Sequence, residues 1–137
     1  MRGFVHHIDL TVKDAHASRA FYESVLGFMG YRLGETYSIG YDFDLETPAG
    51  FVSIGIRNAS GPNAERTHDR YTTGMHHLAW TADSRADVDA LYAHLQSIGA
   101  TILDPPAVYP QYGPTYYAVF FADPDGLKLE YVHKPEI

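Results

Sequence analysis

Two stretches of the chain alternate apolar and polar residues at the two-residue period of a β-strand, and each carries a histidine doublet near its start. The first is Gly3-Phe4-Val5-His6-His7-Ile8-Asp9-Leu10-Thr11-Val12, and the second is Gly74-Met75-His76-His77-Leu78-Ala79-Trp80-Thr81-Ala82. Alternation sets His7, Asp9 and Thr11 on one face and Ile8, Leu10 and Val12 on the other. Behind each strand stands a helical pattern. Asp14 is a natural N-cap for Ala17, Phe21 and Val25, with Gly27 as the expected stop; Ser84 caps Val88, Leu91, Leu95 and Ile98, with Asp87 in the first turn and Gly99 at the end. Strands are then expected over 29–33, 37–45 and 51–57, the last after the turn Thr47-Pro48-Ala49-Gly50. In the second half they are expected over 101–103, ending at Asp104-Pro105-Pro106, over 116–122, and over 127–133 after the turn Asp123-Pro124-Asp125-Gly126.

The order β-α-β-β-β thus occurs twice, with His7 and His77 70 positions apart. A repeat of this length governs the reading of the fold. The expected organisation is a single domain over 1–137: module 1 at about 1–57, a surface connection at 58–73 and module 2 at about 74–137. One half alone, with a single covered sheet face, would be a poor independent domain.

Composition removes several classes of function. The chain of 137 residues holds no cysteine, so the core depends on no disulfide and any transition-metal site must be built from His and carboxylates. A formal charge of -7 opposes nucleic acid and anionic membrane surfaces as partners. No apolar run approaches membrane-spanning length, and the strand pattern starts at once after Met1, so a cytoplasmic protein with a small-molecule substrate is expected.

The candidate chemistry follows from the repeat. Packing keeps apolar residues at equivalent positions and has little reason to keep histidine, so His7 and His77 read as metal ligands. By pleat, His6 and His76 point the other way and read as structural. In the last strand Lys128, Glu130 and Val132 share one face and Leu127, Leu129 and Tyr131 the other. If the leucines meet a helix, Glu130 shares the side of His7 and His77. Two imidazoles and one carboxylate suit a divalent ion, Fe, Mn, Ni, Co or Zn, with positions left open for substrate.

At these residues the sequence resembles the vicinal oxygen chelate superfamily, which includes glyoxalase I, extradiol dioxygenases, fosfomycin-resistance enzymes and bleomycin-binding proteins. The resemblance rests on the segment from His7 to Val12, on Ala20-Phe21-Tyr22-Glu23-Ser24-Val25-Leu26-Gly27-Phe28, on His77, and on Phe121-Ala122-Asp123-Pro124-Asp125-Gly126-Leu127-Lys128-Leu129-Glu130. It implies an α+β fold of two βαβββ modules forming a cup-shaped mixed sheet with helices outside, one divalent metal held by His7, His77 and Glu130, and a homodimer. Aligning the modules on Gly50 and Gly126 sets Ile54 opposite Glu130, where glyoxalase I usually carries a second glutamate.

The residues expected to face the substrate are Thr11, Ile54, Thr81, Ala118 and Phe120, with Asp9 as proton carrier and Tyr116 as hydrogen-bond donor. Three functions fit this set. The first is a glyoxalase-like lyase or isomerase whose substrate chelates the metal through adjacent oxygens. The others are an Fe(II)-dependent ring-cleaving dioxygenase and a small-molecule binding or resistance protein without catalysis.

Overall fold

The computed structural model of the chain describes residues 1–135. It resolves into two compact units, Met1–Arg66 and a second that begins at Thr67. The expected second module runs to 137, and its last two positions lie outside the described residues. Each unit is a βαβββ module with a four-stranded mixed sheet, and the protein is α+β.

In the first unit β1 (His7–Val12) leads into α1 (Ala15–Phe28), β2 (Arg32–Tyr37), β3 (Gly40–Thr47) and β4 (Gly50–Asn58), with sheet order β1-β4-β3-β2. β1 and β4 run parallel, from His7 beside Ser53 to Val12 beside Asn58; the other pairings are antiparallel. A parallel pair needs a long crossover, and α1 supplies it. Its first turn is tied at both ends of the crossover: the Asp14 carboxylate accepts from the backbone N–H of His16 and Ala17, and Asn58 Oδ1, at the end of β4, accepts from Ala15 N–H at 2.7 Å.

The helix buries Ala15, Ser18, Tyr22, Val25 and Leu26, so the stripe is turned from the expected Ala17 and Phe21. It also runs through Gly27 to cap at Met29. The left-handed residue is Gly30, at φ 98°, with Gly30 N–H bonding Gly27 O and Tyr31 N–H bonding Leu26 O. Gly27 has no such role, and β2 starts correspondingly late, at Arg32. Beneath α1 lie Leu10 and Val12 of β1, Tyr41 and Phe43 of β3 and Ile54 and Ile56 of β4, all buried.

The second unit repeats the plan with β5 (Leu78–Thr81), α2 (Arg85–Ser97), β6 (Thr101–Val108), a 3-10 turn (Pro110–Tyr112), β7 (Tyr117–Ala122) and β8 (Lys128–His133), in the order β5-β8-β7-β6. β5 and β8 are the parallel pair. Ser84 Oγ accepts from Asp87 N–H, and the Asp87 carboxylate accepts from Asp83 N–H at 2.9 Å and from the Tyr131 hydroxyl at 2.6 Å, so the start of α2 is bonded to the sheet beneath it. Val88, Leu91 and Leu95 are fully buried, as the spacing predicts, whereas Ile98 is the C-cap and 39 % exposed. The strand expected to end at residue 103 continues through Pro105 and Pro106 to Val108. Its pairing with β7 slips at two places, and it lies at the sheet edge, where missing N–H groups are tolerated. At the tight turn into β8, buried Asp123 accepts from Asp125 N–H and Leu127 N–H, and Gly126 takes φ 87°. No helix among the described residues is long and apolar enough to cross a membrane.

The burial difference along α2 gives an expected outcome. Leu95→Ala should lose about 2–5 kcal/mol of unfolding free energy, and Ile98→Ala less than about 1 kcal/mol, read from urea denaturation followed by circular dichroism.

Candidate functional site

Each parallel ladder fixes which side chains stand side by side, because partners in the ladder point to the same face. In the second unit Leu78 lies beside Leu129, Ala79 beside Glu130 and Thr81 beside Val132. Across the antiparallel pair, Phe120 lies beside Glu130 and Ala118 beside Val132. Glu130, Phe120, Ala118, Ala79 and Thr81 therefore share the face away from α2, as alternation predicts. His77 stands one residue ahead of β5, at a position the pleat assigns to that same face.

Glu130 is 1 % exposed. Placing a carboxylate there is costly unless both oxygens are engaged. Oε2 accepts from the Tyr116 hydroxyl, and Oε1 stands 3.1 Å from His77 Nε2. The structure thus brings together three of the sequence-predicted residues: His77, Glu130 and Tyr116. Burial and the hydrogen bond to Glu130 push the Tyr116 phenol above its ordinary range. Tyr116 also belongs to an aromatic wall, with Tyr112 at 5.3 Å between ring centres; Tyr109 stacks edge-on against Phe120 at 5.1 Å. Lys128, which precedes Glu130 by two residues, holds its ammonium 4.6 Å from the centre of the Phe120 ring.

The first unit carries a different load on its equivalent face. His7 lies beside Ser53, Asp9 beside Gly55 and Thr11 beside Arg57; all three β1 residues are exposed. Arg57 pairs with Asp42 at 2.8 Å, approaches Asp9 at 3.7 Å and covers the Tyr37 ring at 4.9 Å. Arg57, Asp42 and Tyr37 belong to no motif in the sequence, although alternation from Ser53 through Gly55 puts Arg57 on this face.

Ile54 is the residue whose placement differs from expectation. It lies beside Ile8 and Phe43, 1 % exposed, on the α1 side and away from His7. The ladders give the reason: Ile8 and Leu78 each follow the second histidine of a doublet, and their partners are Ile54 and Leu129. The first-unit counterpart of Glu130 is therefore Gly55, one position on from the residue that the Gly50/Gly126 alignment selected. A Cβ built on Gly55 would run into Asp9 Oδ1. The Asp9 carboxylate occupies the space that a side chain at the Glu130-equivalent position would need.

The doublets also differ from expectation. His6 does not turn away from His7: their Nδ1 atoms lie 3.0 Å apart, and those of His76 and His77 lie 2.7 Å apart.

Within each unit, among the described residues, no three His, Asp or Glu side chains gather as a complete metal-ligand set. The second unit nonetheless supplies two donors of the right chemistry, an imidazole nitrogen and a buried carboxylate oxygen. Their 3.1 Å separation is met equally by a hydrogen bond and by an ion bound at about 2.1 Å from each donor.

The family model described as the glyoxalase/bleomycin resistance protein/dioxygenase superfamily matches residues 4–131. The chain belongs to that superfamily. Among curated relatives, it is 33% identical over 128 residues to the uncharacterized protein YqjT of Bacillus subtilis (strain 168), covering 93% of this chain and 97% of that protein. It is 35% identical over 132 residues to the uncharacterized protein YaeR of Escherichia coli (strain K12), covering 92% of each. A crystal structure of a glyoxalase-family protein from Bacillus halodurans superposes with a TM-score of 0.82 at 31% identity, covering 97% of both chains. Superfamily members typically bind small molecules and include many enzymes.

Tyr116→Phe should leave a buried carboxylate oxygen short of its donor and cost about 1–3 kcal/mol of stability at neutral pH, measured by denaturant unfolding. The phenol is harder to ionise in the folded chain than in the unfolded one, where a tyrosine titrates at about 10. Its contribution is therefore fully present below that pH and is lost as pH rises through the higher folded value. The variant should accordingly show a shallower loss of stability in alkaline titration than wild type.

Proposed function

We propose that the protein is a divalent-metal-dependent, glyoxalase-like lyase or isomerase, acting as a homodimer on a small substrate that chelates the ion through adjacent oxygens. The observation that carries this reading is the buried Glu130 carboxylate with His77 Nε2 3.1 Å from its Oε1. A buried carboxyl group that, among the described residues, meets an imidazole and a phenol and no Lys or Arg is an expensive arrangement for stability alone, and cation binding gives it a purpose. His7, the counterpart of His77 in the first unit, completes the proposed ligand set.

The bound ion, one of Fe, Mn, Ni, Co or Zn, would supply Lewis-acid polarisation of the substrate oxygens. The chain's own residues do the rest. Tyr116 holds Glu130 Oε2 and so leaves Oε1 as the oxygen presented beside His77 Nε2. Asp9 is the proposed proton carrier. It fills the side-chain space at Gly55, the position equivalent to Glu130, and half of its side chain is open to solvent, 48% by area. Arg57 stands 3.7 Å from Asp9 Oδ1, a cation beside that carboxylate. Phe120, Ala118, Thr81 and Thr11 are the proposed substrate-facing surface, largely apolar with two hydroxyls.

Metal content tests this directly. Protein purified without chelator should carry near-stoichiometric metal by plasma emission spectrometry, and His77→Ala and Glu130→Gln should each lose it while remaining folded. A wild-type protein that takes up no divalent ion even on reconstitution would sink the proposal, and stoichiometric iron would redirect it towards ring-cleaving oxygen chemistry. Asp9→Asn should keep the metal and lower turnover by at least about 100-fold, the scale of a lost general base.

A further inference from the structure

We propose that His6 and His76 are positioning residues that set the ring tautomer of His7 and His77. The inference rests on the metal-binding reading above and concerns atoms that lie within one unit in each case.

Two imidazole nitrogens cannot face each other at 2.7 Å as two lone pairs or as two N–H groups. One of the pair must donate and the other accept. In the second unit the facing atoms are His76 Nδ1 and His77 Nδ1, the rings meeting edge to face at an interplanar angle of 73°. His77 turns its other nitrogen, Nε2, to the Glu130 carboxylate at 3.1 Å. For Nε2 to offer a lone pair to a cation beside Oε1, the single proton of the neutral ring has to sit on Nδ1. A ring N–H in that place needs an acceptor, and His76 Nδ1 is the atom within reach. With a cation bound, His76 thereby supports the form of His77 in which Nε2 is the ligand.

The same device occurs in the first unit. His6 Nδ1 stands 3.0 Å from His7 Nδ1, with the rings at 84°. Two stretches in different units thus arrive at one contact, Nδ1 to Nδ1, from one sequence feature, a His-His doublet ahead of an apolar residue. His6 is further fixed by the Phe51 ring at 5.5 Å and His76 by the Tyr71 ring at 5.8 Å, so the acceptor rings are themselves held by aromatic neighbours. Without cation the pair can reverse its roles: His76 donates to His77, and His77 Nε2–H donates to Glu130. Loading then moves one ring proton from Nε2 to Nδ1 of His77 and another between the nitrogens of His76, with no net change in charge.

The test is Zn(II) binding to the whole chain, by competition with a chromophoric chelator, in wild type, His76→Ala and His76→Asn. Asn places Oδ1 close to where His Nδ1 lies, so it keeps an acceptor while removing the ring. The expected result is a 10- to 100-fold loss of Zn(II) affinity in His76→Ala, the scale found when partners of metal-binding histidines are removed, and recovery to within a few-fold of wild type in His76→Asn. Long-range nitrogen–proton NMR of the Zn(II)-loaded wild type should show His77 protonated on Nδ1. Unchanged affinity in the alanine variant, equal losses in both variants, or His77 protonated on Nε2 would each overturn the assignment. Wild-type protein that binds no Zn(II), with none of the other divalent ions bound either, would instead overturn the metal-binding reading and take this inference with it.

Discussion

Everything positioned in this protein hangs on the parallel pairing of the first and last strands of each module. Parallel neighbours cannot be joined by a tight turn, so the chain must cross over, and it does so once per module through an amphipathic helix that covers one sheet face. The covered face takes the leucines and isoleucines of the core; the uncovered face carries Glu130 in one module and Asp9 in the other, with Phe120, Ala118 and Ala79 around Glu130. The same ladder decides which residue stands beside which. It sets Ala79 beside Glu130 and Asp9 beside Gly55.

Within that frame the second unit carries the more demanding group. A carboxylate buried to 1 % exposure is stable only when its lone pairs are used. A phenol takes one oxygen and an imidazole meets the other. The phenol's own ionisation is suppressed in return, so Tyr116 remains a donor throughout the neutral range. The first unit solves the opposite problem: its part-buried guanidinium is balanced by Asp42 at 2.8 Å and more loosely by the more exposed Asp9 at 3.7 Å.

Much of this was legible in the sequence because period and punctuation carry it. The doubled βαβββ order, the Ser84 cap, the Val88/Leu91/Leu95 stripe and the Asp-Pro-Asp-Gly turn each follow from residue types at fixed spacing, and the structure has all of them. The rotation of the α1 stripe was not legible, since Ala17 and Phe21 have the spacing of a core while Ser18 and Tyr22 are the residues that find hydrogen-bonding or packing partners beneath the helix. Gly27 looked like a stop, but a glycine ends a helix only where the backbone turns left-handed, and that happens at Gly30. The prolines of β6 looked like a break because a proline removes a ladder donor, a loss that an edge strand with slipped register absorbs. The face of Ile54 failed for a subtler reason. Counting from turn glycines assumes that both modules have the same turn-to-ladder distance, and they differ by one residue, which in a strand reverses every side chain.

The contrast between Asp9 with Gly55 and Ala79 with Glu130 also bears on how two copies of one ancestral module can diverge. In each ladder a large acidic side chain stands next to a small residue, but the large one is on the first strand in one copy and on the last strand in the other. A side chain at position 55 would meet the far end of the Asp9 side chain, whose carboxylate would have to swing aside towards solvent, so residues 9 and 55 share one space and a change at one is felt at the other.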